Sequence, residues 1–97
     1  PIFLNLKERQ CIVIGGGSVA NRKVDSLLAS GAMVTVISPE LSADLSHKQQ
    51  ANSIKVIQRE FKNSDLDNAF LVIAATDNAE LNTHIGTLAH QSNTLVN

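Results

Sequence analysis

The chain has 97 residues, 43% of them apolar, and a formal net charge of −1. That length holds one domain with a modest core, and the composition is that of an ordinary globular protein rather than a disordered one. Scattered Lys and Arg, with three Phe and neither Trp nor Tyr, exclude the electrostatic and stacking footprint of a nucleic-acid partner and a polybasic membrane surface. No apolar run approaches a membrane span, and residues 1–4 are too short for a secretory leader. The single cysteine, Cys11, excludes an intrachain disulfide and a thiolate metal cluster, so a soluble, cytoplasmic setting is expected.

In chain order, residues 2–6 form an apolar lead-in and 7–10 a polar turn. Residues 11–14 are continuously apolar, as in a central parallel strand. A helix over 18–30 follows, with Ala20, Val24, Leu27 and Leu28 on one face, and Gly31 stands where a left-handed helix stop is expected. A strand over 33–37 ends at Pro39. A weaker helix spans 42–51, anchored by Leu41 and Leu45, before a strand over 54–58. Ser64 is the expected cap of a single helical turn over 64–67. Residues 71–75 form a second fully apolar strand. Asn78 caps a helix running to residue 92, with Leu81, Ile85, Leu88 and Ala89 on one face and Asn93 as its stop, and a fifth strand covers 94–96. Strands alternating with helices predict an α/β, Rossmann-like, doubly wound and mostly parallel five-stranded sheet in the order 3-2-1-4-5. The chain stops at its fifth strand, so residues 1–97 are expected to be the dinucleotide-binding domain of a longer enzyme.

The chemistry concentrates in Cys11-Ile-Val-Ile-Gly-Gly-Gly-Ser-Val-Ala20. A strand runs into Gly15-x-Gly17-x-x-Ala20 and then a helix, the layout that a dinucleotide pyrophosphate requires. Gly15 permits the tight turn, Gly17 lacks the Cβ that would block the phosphates, and Ala20 lets the helix approach the sheet. Ser18 and Val19 should offer backbone N–H groups to the anion; Ser18 could equally be a plain helix N-cap. The acid that usually ends the second strand and binds the adenosine ribose is displaced: position 38 is serine and the carboxylate arrives at Glu40. No Arg lies in residues 38–46 to hold a 2′-phosphate, which favours NAD over NADP. Thr76 and Asp77 follow the fourth strand at its carboxyl end, where ligands bind in open α/β sheets. Arg22 and Lys23 are either a solvated face or an attraction for an anionic partner. His47, His84 and His90 have no metal-ligand spacing, and no metal site is expected.

Several runs together resemble one family: Pro1-Ile-Phe-Leu-Asn-Leu6, Val13-Ile-Gly-Gly-Gly-Ser-Val-Ala-Asn-Arg-Lys23, Val34-Thr-Val-Ile-Ser-Pro-Glu-Leu41, Arg59-Glu-Phe61, Leu71-Val-Ile-Ala-Ala-Thr-Asp-Asn78, Leu81-Asn82 and Leu95-Val-Asn97. They are similar to the N-terminal domain of siroheme synthase, the precorrin-2 dehydrogenase family, over essentially the whole chain. The resemblance implies NAD-dependent oxidation of precorrin-2, a tetrapyrrole, to sirohydrochlorin, with ferrochelatase activity in some members and a homodimer in the full-length form. It places Ser18 and Val19 at the pyrophosphate, Pro39 and Glu40 at the adenosine ribose, for which the residues themselves offer Glu40 or Ser38 with nearby backbone, and Ala75, Thr76 and Asp77 along the cofactor cleft. It puts the catalytic aspartate just beyond Asn97, so no catalytic residue is assigned within the chain. The alternative reading is a nucleotide-binding or sensing module of the same architecture, without chemistry.

Overall fold

Parallel pairing of short apolar strands organises the protein. The computed structural model describes residues 5–97; residues 2–4 of the expected apolar lead-in lie outside the described residues. The elements are β1 (Gln10–Ile14), α1 (Ser18–Ala29), β2 (Met33–Ile37), α2 (Ala43–Gln50), β3 (Lys55–Ile57), a 3₁₀ turn (Asn63–Leu66), β4 (Leu71–Ala74), α3 (Ala79–Gln91) and β5 (Leu95–Val96). The sheet order is β3-β2-β1-β4-β5, as expected, and every pairing is parallel. β3 is shorter than its apolar pattern suggests, because an edge strand has only β2 to pair with. Among the described residues no helix is long and apolar enough to cross a membrane.

The unbroken apolar runs have a direct cause. Successive side chains of a strand face opposite ways, and both faces of this sheet are covered. Cys11 and Val13 join Val34, Val36 and Ile73 under α1 and α2, against Ala20, Val24, Leu27 and Leu45. Ile12 and Ile14 join Ile37 and Val72 on the other face, against Ile85 and Ala89 of α3. A strand buried on both faces has no polar positions to show.

Among the described residues, the three α-helices stop in the same way. Gly31 (φ 80°), Asn52 (φ 59°) and Asn93 (φ 55°) follow the last turns of α1, α2 and α3 in the left-handed region. In each case two backward amide bonds close the end, such as Ala32 N to Leu27 O and Gly31 N to Leu28 O after α1, the pattern that satisfies orphan carbonyls. Gly31 and Asn93 stand where the sequence puts them, whereas the stop at Asn52 has no apolar periodicity around it to announce it. α1 begins at residue 18 as expected, but two expected caps are not found. Ser18 is the first residue inside α1, and its N-cap is Gly17, which has no side chain to cap with. Ser64 lies within the 3₁₀ turn rather than capping it; the Asp65 carboxylate takes the acceptor role instead, receiving Lys62 N at 2.7 Å.

Two features bring distant turns to the carboxyl end of β1. Gly15 (φ 134°) passes so close to β4 that a Cβ there would collide with the Ala75 carbonyl, its carbon 2.7 Å away. A Cβ on Gly16 would strike the Glu40 carbonyl and come within 2.6 Å of Ser38 Oγ, and Gly16 O accepts Ser42 N at 2.8 Å. The segment after β3 is braced separately. Arg59 donates to both Asp65 carboxylate oxygens at 2.7 and 2.8 Å and to Glu60 O at 2.9 Å. These hydrogen bonds hold the Asp65 carboxyl below the usual carboxylate range and push the Arg59 guanidinium up.

Gly16→Ala is therefore expected to cost about 2 kcal/mol or more, read by urea denaturation, since the methyl meets backbone rather than a movable side chain. Asp65 stabilises the fold most above the ordinary carboxylate range, and that contribution is lost as pH falls through its lowered folded-state value. Asp65→Asn should accordingly be less stable than the parent near neutral pH, with the difference closing as pH drops below about 4 in parallel denaturation curves.

Candidate dinucleotide-binding cleft

From β1 the chain winds outward to β2 and β3, then returns to lay β4 on the other side of β1. At the carboxyl ends of the strands this reversal leaves a crevice where no connection crosses, the usual ligand position in open α/β sheets. A cleft of about 970 Å³ opens there, floored by Ile14 and Ile37. Every residue assigned to the cofactor from the sequence lines it: Gly15, Gly17, Ser18 and Val19 from the turn after β1, Ser38, Pro39 and Glu40 from the turn after β2, and Ala75, Thr76 and Asp77 from the turn after β4.

The first turn is built to meet an anion. α2 is capped by the Ser42 hydroxyl and α3 by the Asn78 side chain, each accepting from the first turn of its helix. Those helices also carry Asp44 and Glu80 in their first turns, whereas α1 has neither a side-chain cap nor an acid there. Among the described residues the amides of Gly16, Gly17, Ser18, Val19 and Ala20 meet no protein acceptor. Unpaired helix-terminal amides facing a cleft, together with the positive end of the helix dipole, favour a phosphate. A Cβ on Gly17 would meet nothing within 4 Å, so no contact within the protein requires the glycine.

The turn after β2 is tied by one hydroxyl of its own and by two residues of the segment beside it. Ser38 is buried, and its hydroxyl donates to Glu40 O at 2.7 Å. Ser38 N bonds Ile57 O, and Gln58 Nε2 donates to Pro39 O at 3.2 Å. The Ser38 hydroxyl proton is thus used inside the turn, while the exposed Glu40 side chain is free to reach a ligand. On the other wall, Asp77 is exposed and makes no hydrogen bond among the described residues, and Asn78 rather than Asp77 caps α3.

Sequence reasoning missed several cleft residues. Gly16 reads only as the variable position of the glycine motif, although its contact with Glu40 is backbone on backbone. Glu60, Phe61 and Leu81 also line the cleft. The sequence signal for the first two is their place in the Arg59-Glu-Phe61 run; the braced loop carrying them brings Phe61 edge-on against His84, ring centroids 6.4 Å apart. Arg22 and Lys23 are not among the lining residues. His47, His84 and His90 are exposed, as expected. Cys11 is fully buried, and burial pushes its thiol up, the opposite of an activated nucleophile.

Comparison with known proteins fits this geometry. A family model described as "Putative NAD(P)-binding" matches residues 2–97. Siroheme synthase of Methylobacillus flagellatus is 45% identical over 97 residues, and that of Psychromonas ingrahamii 43%, the match covering all of this chain and 21% of each relative's length. Among solved structures, SirC, a precorrin-2 dehydrogenase, superposes with a TM-score of 0.85 at 28% identity, covering all of this chain and 47% of that one. D-lactate dehydrogenase from Escherichia coli, at a TM-score of 0.69 and 12% identity over 96% of this chain and 28% of its own, shares the fold alone. A glycine turn with unpaired amides, set at the reversal point of a parallel sheet and matched from residue 2 to the last residue, places this chain in the NAD(P)-binding family that the model describes.

Proposed function

We propose that residues 1–97 are the cofactor-binding domain of an NAD-dependent precorrin-2 dehydrogenase, which oxidises precorrin-2 to sirohydrochlorin within a longer protein. The observation that carries this reading is the uncapped start of α1 at the floor of the cleft. The names of the siroheme synthase relatives and of the SirC neighbour support the substrate class.

The residues present fit a dinucleotide. The amides of Ser18 and Val19 would hold the pyrophosphate, with Gly17 leaving room for it. Pro39 and Glu40, stiffened by Ser38, would take the adenosine ribose. Ala75, Thr76 and Asp77 would flank the nicotinamide half, on the opposite side of β1. NAD, when bound, supplies the hydride acceptor; the protein supplies orientation and a dry floor of Ile14 and Ile37. The ionisable side chains lining the cleft are Glu40, Glu60 and Asp77, without Lys or Arg. Such a lining disfavours a further 2′-phosphate, which supports NAD over NADP.

The activity test is incubation of the full-length protein with NAD and precorrin-2, following NADH absorbance. NADH formation is expected, and its absence from a folded protein would overturn the reading. Gly17→Ala tests the site itself. It should fold with stability within about 1 kcal/mol of the parent, because the added methyl meets open space and alanine in place of glycine at an N-cap costs less than that. Calorimetry should show NAD binding weakened by about tenfold or more, the methyl now standing where the phosphates belong.

A further inference from the structure

We infer that Asn82, a residue of α3 outside the cleft lining, is the positioning residue for the wall formed by Ala75, Thr76 and Asp77. The inference rests on the cofactor reading above. The ladder between β1 and β4 ends with Ala75 N donating to Ile14 O at 2.8 Å. Beyond that bond the Thr76 peptide has no strand beside it, and the side chain of Asn82 takes the place of one. Its Nδ2 donates to Thr76 O at 3.0 Å, and its Oδ1 accepts Thr76 N at 3.3 Å. The same Oδ1 accepts the Thr76 hydroxyl at 2.6 Å. Two donors face the oxygen and one acceptor faces the nitrogen, so the amide can sit only one way round.

Two consequences follow for the cleft. The Thr76 main chain is held at both its N–H and its C=O, and the Ala75 carbonyl beside it is the group against which Gly15 is packed. The wall is therefore set by one side chain, whereas the anion-binding turn is held independently by Gly15 N to Ile37 O at 3.0 Å and by Ser42 N to Gly16 O at 2.8 Å. The Thr76 hydroxyl, for its part, donates inward to Asn82 and accepts Asn78 N at 3.1 Å, so Thr76 shapes the wall rather than offering its hydroxyl proton to a ligand. Asparagine is a poor helix residue because its side chain competes for nearby backbone. Here that competition is the use made of it.

The geometry separates the two halves of a dinucleotide. The adenosine and pyrophosphate side is built by the turns after β1 and β2, and the wall held by Asn82 lies across β1 from the turn after β2. Asn82→Ala in the full-length protein should weaken NAD binding by about tenfold, while ADP, which lacks the nicotinamide half, should bind within about twofold of the parent, both read by calorimetry. Asn82→Asp keeps the acceptor and loses the donor to Thr76 O, so its NAD affinity should fall between the two; it also serves if the alanine variant fails to fold. NAD binding unchanged, or equal losses for NAD and ADP, would overturn the inference, the latter marking general loosening. Failure of the unsubstituted protein to bind either ligand would instead overturn the cofactor reading.

Discussion

The cleft depends on one constraint: the turn after β1 must be touched by main chain on both sides. A side chain at position 15 would push away the strand end at Ala75, and one at position 16 would push away the turn at Glu40. With hydrogen in both places, turns more than twenty residues apart in sequence meet at one point. The crevice of a parallel sheet follows from topology alone, but its width here is set by these two backbone contacts. Close packing leaves little slack around them, which is why the neighbouring segments are tied down by hydrogen bonds, Ser38 to Glu40 and Ser42 to Gly16 on one side and Ala75 to Ile14 on the other.

The helix termini divide the labour. Each α-helix ends in a left-handed residue that closes its carbonyls, so the carboxyl ends need nothing further. At the amino ends, Ser42 and Asn78 satisfy α2 and α3 with side-chain oxygens, and Asp44 and Glu80 offset their dipoles. α1 alone begins at a glycine with no acid near it. An uncapped helix is less stable than a capped one, so this start runs against local preference. Local rules broken at one place and kept elsewhere in the same fold mark a functional position.

Much of this is legible in the sequence, for identifiable reasons. Residues 11–14 and 71–74 are apolar throughout because both faces of the sheet are covered, and that pattern fixes β1 and β4 as central. Gly31 declares the end of α1 because only glycine enters the left-handed region without cost. The residues lining the cleft could be named because they follow strand ends, and the topology gathers strand ends. Other features carry no local signal. Gly16 looks like a spacer until Glu40 is seen against it, Asn52 stops a helix whose periodicity is faint, and Asp65 rather than Ser64 anchors the 3₁₀ turn because Arg59 holds its carboxylate in place. Each depends on a partner that sequence spacing does not name.

The charge of the cleft gives the last step. Lys and Arg are the side chains commonly gathered around a diphosphate, yet among the described residues the ionisable groups lining this cleft are carboxylates: Glu40, Glu60 and Asp77. The anion must then be held by neutral N–H groups and a helix dipole, which act over short range and only where the backbone points. Attraction of that kind selects by position rather than by total charge. It accepts a diphosphate whose oxygens fall before the first turn of α1 and gives nothing to an anion elsewhere in the cleft. A phosphate placed beside Glu40 would meet repulsion without a compensating cation. Of these acids, Asp77 stands on the wall proposed for the nicotinamide half, where an oxidised ring carries positive charge. Backbone donors at the centre with carboxylates around them thus describe a cleft matched to a dinucleotide that is negative in the middle and positive at one end.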